Sequence, residues 1–286
     1  MWGVLPLFLQ ITLSTLDAST ITFYRFIFAF LFVLGTSYFL QQLPNKRQFS
    51  KKIVWVLFAS GLGLTINYVA NVVGLALIDP ESVQVIMQFA PFLLMLGGVI
   101  FFKETFSKMQ ILGTFVLLLG FIMFFYDNLG VLFSGMGQYT EGVLIVFLAA
   151  IAWVAYALLQ KWLLHTFTAK QLTLVIYFLG ALFLLPSSEL SAISKLDWLT
   201  GLALLFCCVN TLIAYGAFTK AISVWQAANV SAVITLTPIF TILTMTIAIS
   251  LFPDYFVASE LTRLAYAGAL LVVIGSMITT LGRKRQ

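Results

Sequence analysis

Nine stretches of this chain run for about twenty residues each with almost no charge, near 19–40, 53–75, 81–102, 109–126, 141–164, 169–186, 197–218, 226–252 and 262–281. A helix needs about 20 apolar residues to cross about 30 Å of hydrocarbon, and inside lipid every backbone polar group must be bonded within its own segment. The pattern therefore predicts an all-α integral membrane protein. Composition agrees: only 9% of the residues are charged, against about 25% for a soluble domain that must face water. The net charge of +5 does not indicate nucleic acid, because the charges sit in short loops between the apolar runs. Cys207 and Cys208 are adjacent in one such run. That spacing suits neither a zinc site nor an ordinary disulfide, so both read as small core residues.

The loops fix an orientation. Alternating them from face to face places Lys46, Arg47, Lys51, Lys52, Lys103, Lys108, Lys161, Lys170, Lys220, Arg283, Lys284 and Arg285 on one side. Only Lys195 and Arg263 fall on the other, and Arg25 lies inside a span. An excess of Lys and Arg in short loops marks the cytoplasmic side, which predicts a multi-pass protein of the bacterial inner membrane with both termini in the cytoplasm. That arrangement needs an even number of crossings, so ten helices are expected. The tenth is the apolar run 1–14, which covers only about 21 Å at 1.5 Å per residue. It has neither the basic start nor the small-residue cleavage site of a signal peptide.

Self-similarity divides the chain. Ile66-Asn67-Tyr68 matches Ile213-Ala214-Tyr215 at an offset of 147, and the same offset brings Ala70 onto Ala217, Val83 onto Val230, Pro91 onto Pro238 and Leu96 onto Leu243. Gly113 and Gly120 match Gly268 and Gly275 at an offset of 155, which implies an eight-residue insertion around Phe252–Glu260. Trp2 and Ala18 match Trp153 and Ala169 at an offset of 151. The expected organisation is one five-helix repeat over 1–126, a periplasmic linker over 127–140 and a second repeat over 141–286. Five crossings per repeat force the second to enter from the opposite face. Inverted repeats of this kind recur in secondary transporters, with the binding site near the midplane. Twelve residues of span precede Trp153 and one precedes Trp2, so about ten residues are expected to be missing from the first helix.

The same residues resemble the drug/metabolite transporter superfamily, specifically its EamA-like permeases. The matching features are Trp2-Gly3 with Pro6, the run Phe23-Tyr24-Arg25-Phe26, Pro91, the run Phe102-Lys103-Glu104 followed by Gln110 and Gly113, and then Pro238, Gly268 and Gly275. The resemblance spans essentially the whole chain. Departures are the short first helix and the enlarged loop before the last helix, which has no counterpart of Glu104. The resemblance implies a ten-helix fold whose central cavity is lined by helices one to four and six to nine. It also implies transport of a small metabolite, with export of amino acids or related compounds the commonest role.

Polar side chains inside lipid are costly and must face a partner or a cavity. The third span offers Asn67, Tyr68 and Asn71, and the fourth offers Gln84 and Gln88, four apart on one face. The eighth offers Asn210, Thr211 and Tyr215, and the ninth Asn229, Ser231, Thr235 and Thr237. Under the repeat Tyr68 pairs with Tyr215, Gln84 with Ser231 and Gln88 with Thr235. These residues, with the aromatic Trp153 and Tyr156, are the candidate substrate-binding set; interhelical hydrogen bonding is the alternative use of the same groups. Arg25, the one formal charge well inside a span, suits a substrate carboxylate or phosphate, which a guanidinium pairs bidentately. Pro91 and Pro238 lack an N–H and free the carbonyls of Met87 and Ile234, which makes both candidate hinges. The glycines at 113, 120, 268 and 275 suit close helix contact, within the chain or across a homodimer seam.

Together these readings predict a transporter of a small polar metabolite working by alternating access, with membrane lipid as its surroundings and no cofactor, metal or nucleic acid. No carboxylate lies mid-span, and Gln10 stands where a proton-coupled cation exporter needs one, which leaves facilitated diffusion or coupling through a rim group such as Asp17. An integral-membrane enzyme needs catalytic acids, histidines or a metal near the interface, and the chain has a single histidine, His165, in a basic loop. A channel needs a charged or carbonyl-rich filter, and none is recognisable.

Overall fold

A computed structural model describes residues 1–93, 96, 107–134, 137–225, 227–253, 255–256 and 261–282, with the side chains of 134, 227–229 and 231 excepted. The expectations placed on Phe102, Lys103, Glu104, Arg283, Lys284 and Arg285, and on the side chains of Asn229 and Ser231, lie outside these residues. Every regular element among the described residues is helical. In chain order they are α1 (Leu5–Leu13), α2 (Ala18–Phe39), α3 (Lys51–Leu77), α4 (Pro80–Ile86), α5 (Lys108–Phe125), α6 (Leu129–Ser134), α7 (Gln138–Leu163), α8 (Ala169–Leu184), α9 (Trp198–Asn210), a π-helical turn (Thr211–Tyr215), α10 (Gly216–Val224), α11 (Ala227–Ile234), α12 (Thr237–Leu251) and α13 (Arg263–Leu281). Eight helical stretches among the described residues are long and apolar enough to cross a membrane. The short first helix falls where the run 1–14 was expected, and the span expected at 81–102 begins as α4 and extends beyond the described residues.

Polar caps set the helix starts, each accepting an otherwise orphaned N–H of the first turn. Asp17 accepts from the backbone N–H groups of Ser19 and Thr20 at 2.8 and 3.0 Å and from the Thr20 hydroxyl at 2.5 Å. Ser107 with Gln110 and Thr168 with Gln171 form capping boxes, the reciprocal arrangement that satisfies two donors at once. Asp197 caps α9 through the Thr200 N–H at 2.7 Å. The bonds from Thr200, side chain first and then backbone, hold the Asp197 carboxyl below the ordinary carboxylate range. A lowered carboxyl contributes stability that is present above the unfolded-state pKa and lost as pH falls through the folded one. Asp197→Asn is therefore expected to lower the thermal midpoint slightly at pH 7, and the gap between variant and parent should narrow as pH falls through the lowered folded-state pKa, where the carboxyl becomes neutral.

The helices form two compact units. The first contains Met1, Phe8–Val72 and Ala152–Trp225. Its main contact is α2 against α8: Gly180 leaves room for the Phe26 ring, and Phe26 stacks on Tyr177 with ring centroids 6.1 Å apart. At one end of this pair the Glu189 N–H donates to the Thr20 hydroxyl at 2.9 Å and the Tyr24 hydroxyl donates to the Leu190 carbonyl at 2.9 Å. At the other end Gln48 Nε2 donates to the Thr166 carbonyl at 2.8 Å.

The second unit contains Trp2–Leu7, Val73–Ile151 and Gln226–Gln286. Its most extensive contact is α5 against α13. A Cβ built on Gly113 would meet the Thr279 backbone nitrogen and lie 2.9 Å from the Gly275 carbonyl, and one on Gly275 would meet the Leu117 nitrogen and lie 2.8 Å from the Gly113 carbonyl. Gly120 and Gly268 exclude each other in the same way. The pairing of 113 with 275 and 120 with 268 makes the two helices antiparallel, and it assigns all four glycines to a contact inside the chain.

Both prolines coincide with helix breaks in this unit. α4 ends at Ile86, with a turn at Met87–Gln88 before Pro91, and α11 ends at Ile234, with a turn at Thr235–Leu236 before Pro238. The span expected over 226–252 is thus divided. The carbonyls that the prolines leave unserved are taken locally: Met87 accepts from the Ala90 N–H at 3.0 Å, and Ile234 accepts from the Thr237 hydroxyl at 2.6 Å.

Candidate functional site

The first unit gathers one charged and several hydroxyl-bearing side chains around Arg25. α2 carries Arg25 inward, where it is 3% exposed. A charged side chain deep in a bilayer costs roughly 2.5–3.5 kcal/mol on insertion scales, so its neighbours must offset that cost. Its Nε donates to the Thr211 hydroxyl at 2.9 Å, and its guanidinium carbon lies 4.3 Å from the centre of the Tyr68 ring, within cation–π range. The one ion pair among the described residues is Lys195 with Glu189 at 3.2 Å; no described carboxylate pairs with Arg25.

Thr211 anchors the cluster. It opens the π-helical turn Thr211–Tyr215, the kind of local widening that recurs at functional sites. Its hydroxyl donates to the Cys207 carbonyl at 3.0 Å while accepting from Arg25, and its carbonyl accepts from the Tyr177 hydroxyl at 3.2 Å. Tyr68 and Tyr215 face each other with ring centroids 5.0 Å apart, and Phe26 lies 4.7 Å from Tyr68. A second polar group lies where α7 meets α10: Gln160 of α7, wholly buried, donates from Nε2 to the Thr219 hydroxyl of α10 at 2.9 Å, and the Tyr156 hydroxyl reaches both. Trp153 packs on Phe218 with ring centroids 5.6 Å apart.

Of the residues expected from sequence, the structure brings Arg25, Tyr68, Tyr215 and Tyr156 into this connected set, with Trp153 at its margin through Phe218. Asn67 is buried and Asn71 half-buried on α3 in the same unit. Asn210 donates from Nδ2 to the Met1 carbonyl at 3.1 Å. Gln84, Gln88 and Thr235 belong to the second unit; Gln84 is half-buried, while Gln88 and Thr235 are buried beside the two helix breaks. The Thr235 hydroxyl donates to the Ala232 carbonyl at 2.7 Å. Asn210 Oδ1, Gln160 Oε1 and Gln88 Oε1 are buried acceptors without a hydrogen bond among the described residues.

Two members of the cluster, Gln160 and Thr219, were not among the residues singled out from the sequence. Thr211 was one of the polar groups of the eighth span, whereas Gln160 directly precedes Lys161, a residue assigned to the basic side. Glu81 is buried at 2% exposure in the first turn of α4. Asp17, the expected rim group, has both carboxylate oxygens engaged in capping α2.

Comparison with known proteins places this arrangement. Similarity to a solved crystal structure, with a TM-score of 0.61 at 15% identity over 100% of this chain and 98% of the other, shows a shared fold. The chain is 36% identical over 283 residues to an uncharacterized transporter of Haemophilus influenzae, covering 99% of this chain and 92% of the relative. It is 35% identical over 284 residues to the uncharacterized inner membrane transporter YhbE of Escherichia coli, covering 99% and 88%. Residues 1–126 and 140–281 match the model of the EamA-like transporter family. With apolar helices of membrane-spanning length and relatives of this kind over its whole length, the chain belongs to the EamA-like transporter family.

Proposed function

We propose that this membrane transporter resides in the bacterial inner membrane and exports a small carboxylate-bearing metabolite, an amino acid or a close relative, by alternating access. One observation carries the reading: Arg25 is buried with a hydroxyl and a ring face for company and no described carboxylate to pair with it. A guanidinium so placed keeps donors for a bidentate partner, and a substrate carboxylate supplies that partner. The neighbouring tyrosines give the rest of such a substrate a surface that is apolar on its faces and polar at its edge.

The proposed architecture is ten helices in two inverted halves, 1–126 and 141–286, joined by a linker over 127–140. Contacts between residues that correspond under the repeat support it. Phe26 meets Tyr177, Tyr68 meets Tyr215, and the two glycine pairs of α5 and α13 exclude each other reciprocally. Each compact unit also draws corresponding helices from both halves. A twofold axis relating the halves would produce such self-matching contacts. The basic ends of the helices would then face the cytoplasm together with both termini.

The breaks at Pro91 and Pro238 serve in this reading as hinges. Alanine at 238 would restore an N–H able to reclaim the Ile234 carbonyl, favouring a continuous helix over the break. Pro91→Ala and Pro238→Ala are each expected to slow transport about tenfold, equivalent to about 1.4 kcal/mol in the barrier, with membrane abundance unchanged. Equal rates in variant and parent would remove the hinge role. The function itself is tested by overexpressing the chain, screening for resistance to toxic amino-acid and nucleobase analogues, and measuring uptake of the hits in proteoliposomes. Substrates without any carboxylate among the hits would overturn the proposed class.

A further inference from the structure

We propose that the first unit carries a binding site for an anionic phospholipid, with an acyl chain in an apolar groove between α2, α3 and α8 and the phosphate at the basic end of that groove. The groove is a cavity of about 470 Å³. Phe30 of α2, Phe49 just before α3, Val54 and Phe58 of α3, and Leu174 and Phe178 of α8 line it. Val54 is 48% and Phe178 46% exposed, so the groove opens sideways rather than into the core. From Lys51 to Phe58 the helix rises about 10 Å at 1.5 Å per residue. The groove thus descends from the level of the first helical turn into the depth where hydrocarbon lies, the path an acyl chain takes below its headgroup.

Charge selects which lipid. The acids of this unit, Asp17, Glu189 and Asp197, all sit at the end where α2 and α9 begin and α8 finishes. At the opposite end lie Lys46, Arg47, Lys51, Lys52, Lys161 and Lys170 with no acid among them. Lys52 is already placed over the Trp162 ring at 5.5 Å and Lys170 donates to Gln42 at 3.4 Å. The exposed side chains of Lys46, Arg47 and Lys51, which flank the groove residue Phe49 in sequence, have no hydrogen bond or ion pair among the described residues. Three such cations beside a lining residue of an apolar groove match a phosphodiester with its tail, and basic pockets between membrane helices hold lipid head groups in this way.

The test uses the full chain purified in mild detergent, with phosphatidylglycerol and phosphatidylcholine of identical acyl chains added together and retained lipid counted by native mass spectrometry. The expected result is a preference of roughly tenfold for phosphatidylglycerol, abolished in Lys46→Gln/Arg47→Gln/Lys51→Gln. Val54→Trp, a change at an exposed position, should fill the groove and reduce retention of phosphatidylglycerol while all three cations remain. Equal retention of the two lipids by the parent overturns the proposal, as does a preference that survives the triple substitution or a Val54→Trp variant that retains lipid like the parent. Displacement of the lipid by excess glycerol 3-phosphate also overturns it, reassigning the basic end to a free phosphate.

Discussion

Arg25→Ala is expected to lower transport of the carboxylate substrate by about thirtyfold or more while the protein still accumulates in the membrane. The two halves of that expectation have separate causes. Truncating one member of a buried charged pair removes about 2–5 kcal/mol of binding, and each 1.4 kcal/mol is tenfold. Folding responds differently, because the arginine has no carboxylate partner among the described residues. Its removal deletes one bond to Thr211 and a contact with the Tyr68 ring but also removes the cost of desolvating a charge. Abundance should therefore hold while uptake collapses.

Companion variants separate charge from geometry. Arg25→Lys keeps the positive charge but loses the planar fork and the Nε donor, so it should recover only part of the loss. Thr211→Val leaves the guanidinium and removes its hydroxyl acceptor, and it should weaken uptake less than either change at 25. A further comparison reads the ligand: the parent should prefer the acid over its carboxamide analogue, and Arg25→Ala should bind the two alike. If the parent already treats acid and amide equally, Arg25 has a structural role and the proposed substrate class is wrong.

The ease with which sequence disclosed parts of this site follows from how membranes constrain chains. Arg25, Tyr68 and Tyr215 were legible because a charge or a symmetric pair of tyrosines inside an apolar run stands out against lipid. The acceptor roles of Thr211 and Thr219 were not, because a helical threonine ordinarily satisfies its hydroxyl on the preceding turn. Both do so here, on Cys207 and Tyr215, and the extra bonds they accept from Arg25 and Gln160 depend on which helix lies opposite. Gln160 was hidden by its neighbour Lys161, since a lysine at a span's end signals the interface without saying which face the preceding residue takes. Glu81 follows Asp79-Pro80, a turn signature, so nothing in the spacing announced that its side chain would be buried. The prolines were legible as points of bending, but the spans were expected to run through them and their carbonyls to be open, and Ala90 and Thr237 close them.

The seven-residue spacing of Gly113 with Gly120 and of Gly268 with Gly275 announced close contact without naming partners, and the partners turn out to be each other. Alanine at any of the four is expected to lower the thermal midpoint in detergent, at a cost of about 1–3 kcal/mol each. The atoms that a new methyl would meet are backbone atoms of the facing helix, so no side-chain rotation relieves the overlap and α5 and α13 must move apart. Without a hydrophobic force between helices in lipid, that separation forfeits the packing that holds them together. Gly201→Ala is the control: nothing lies within 4 Å of a Cβ there, and the gain in helix propensity should leave it neutral or slightly stabilised. The double substitution distinguishes a shared crossing from four independent sites. Once the helices have parted to admit a methyl at 113, the methyl at 275 enters the same gap, so Gly113→Ala/Gly275→Ala should cost clearly less than the sum of the singles. Gly113→Ala with Gly201→Ala, which share no contact, should add. Strict additivity of the 113 and 275 changes would mean that these glycines do not face one another, and the antiparallel crossing inferred from their pairing would fall with it.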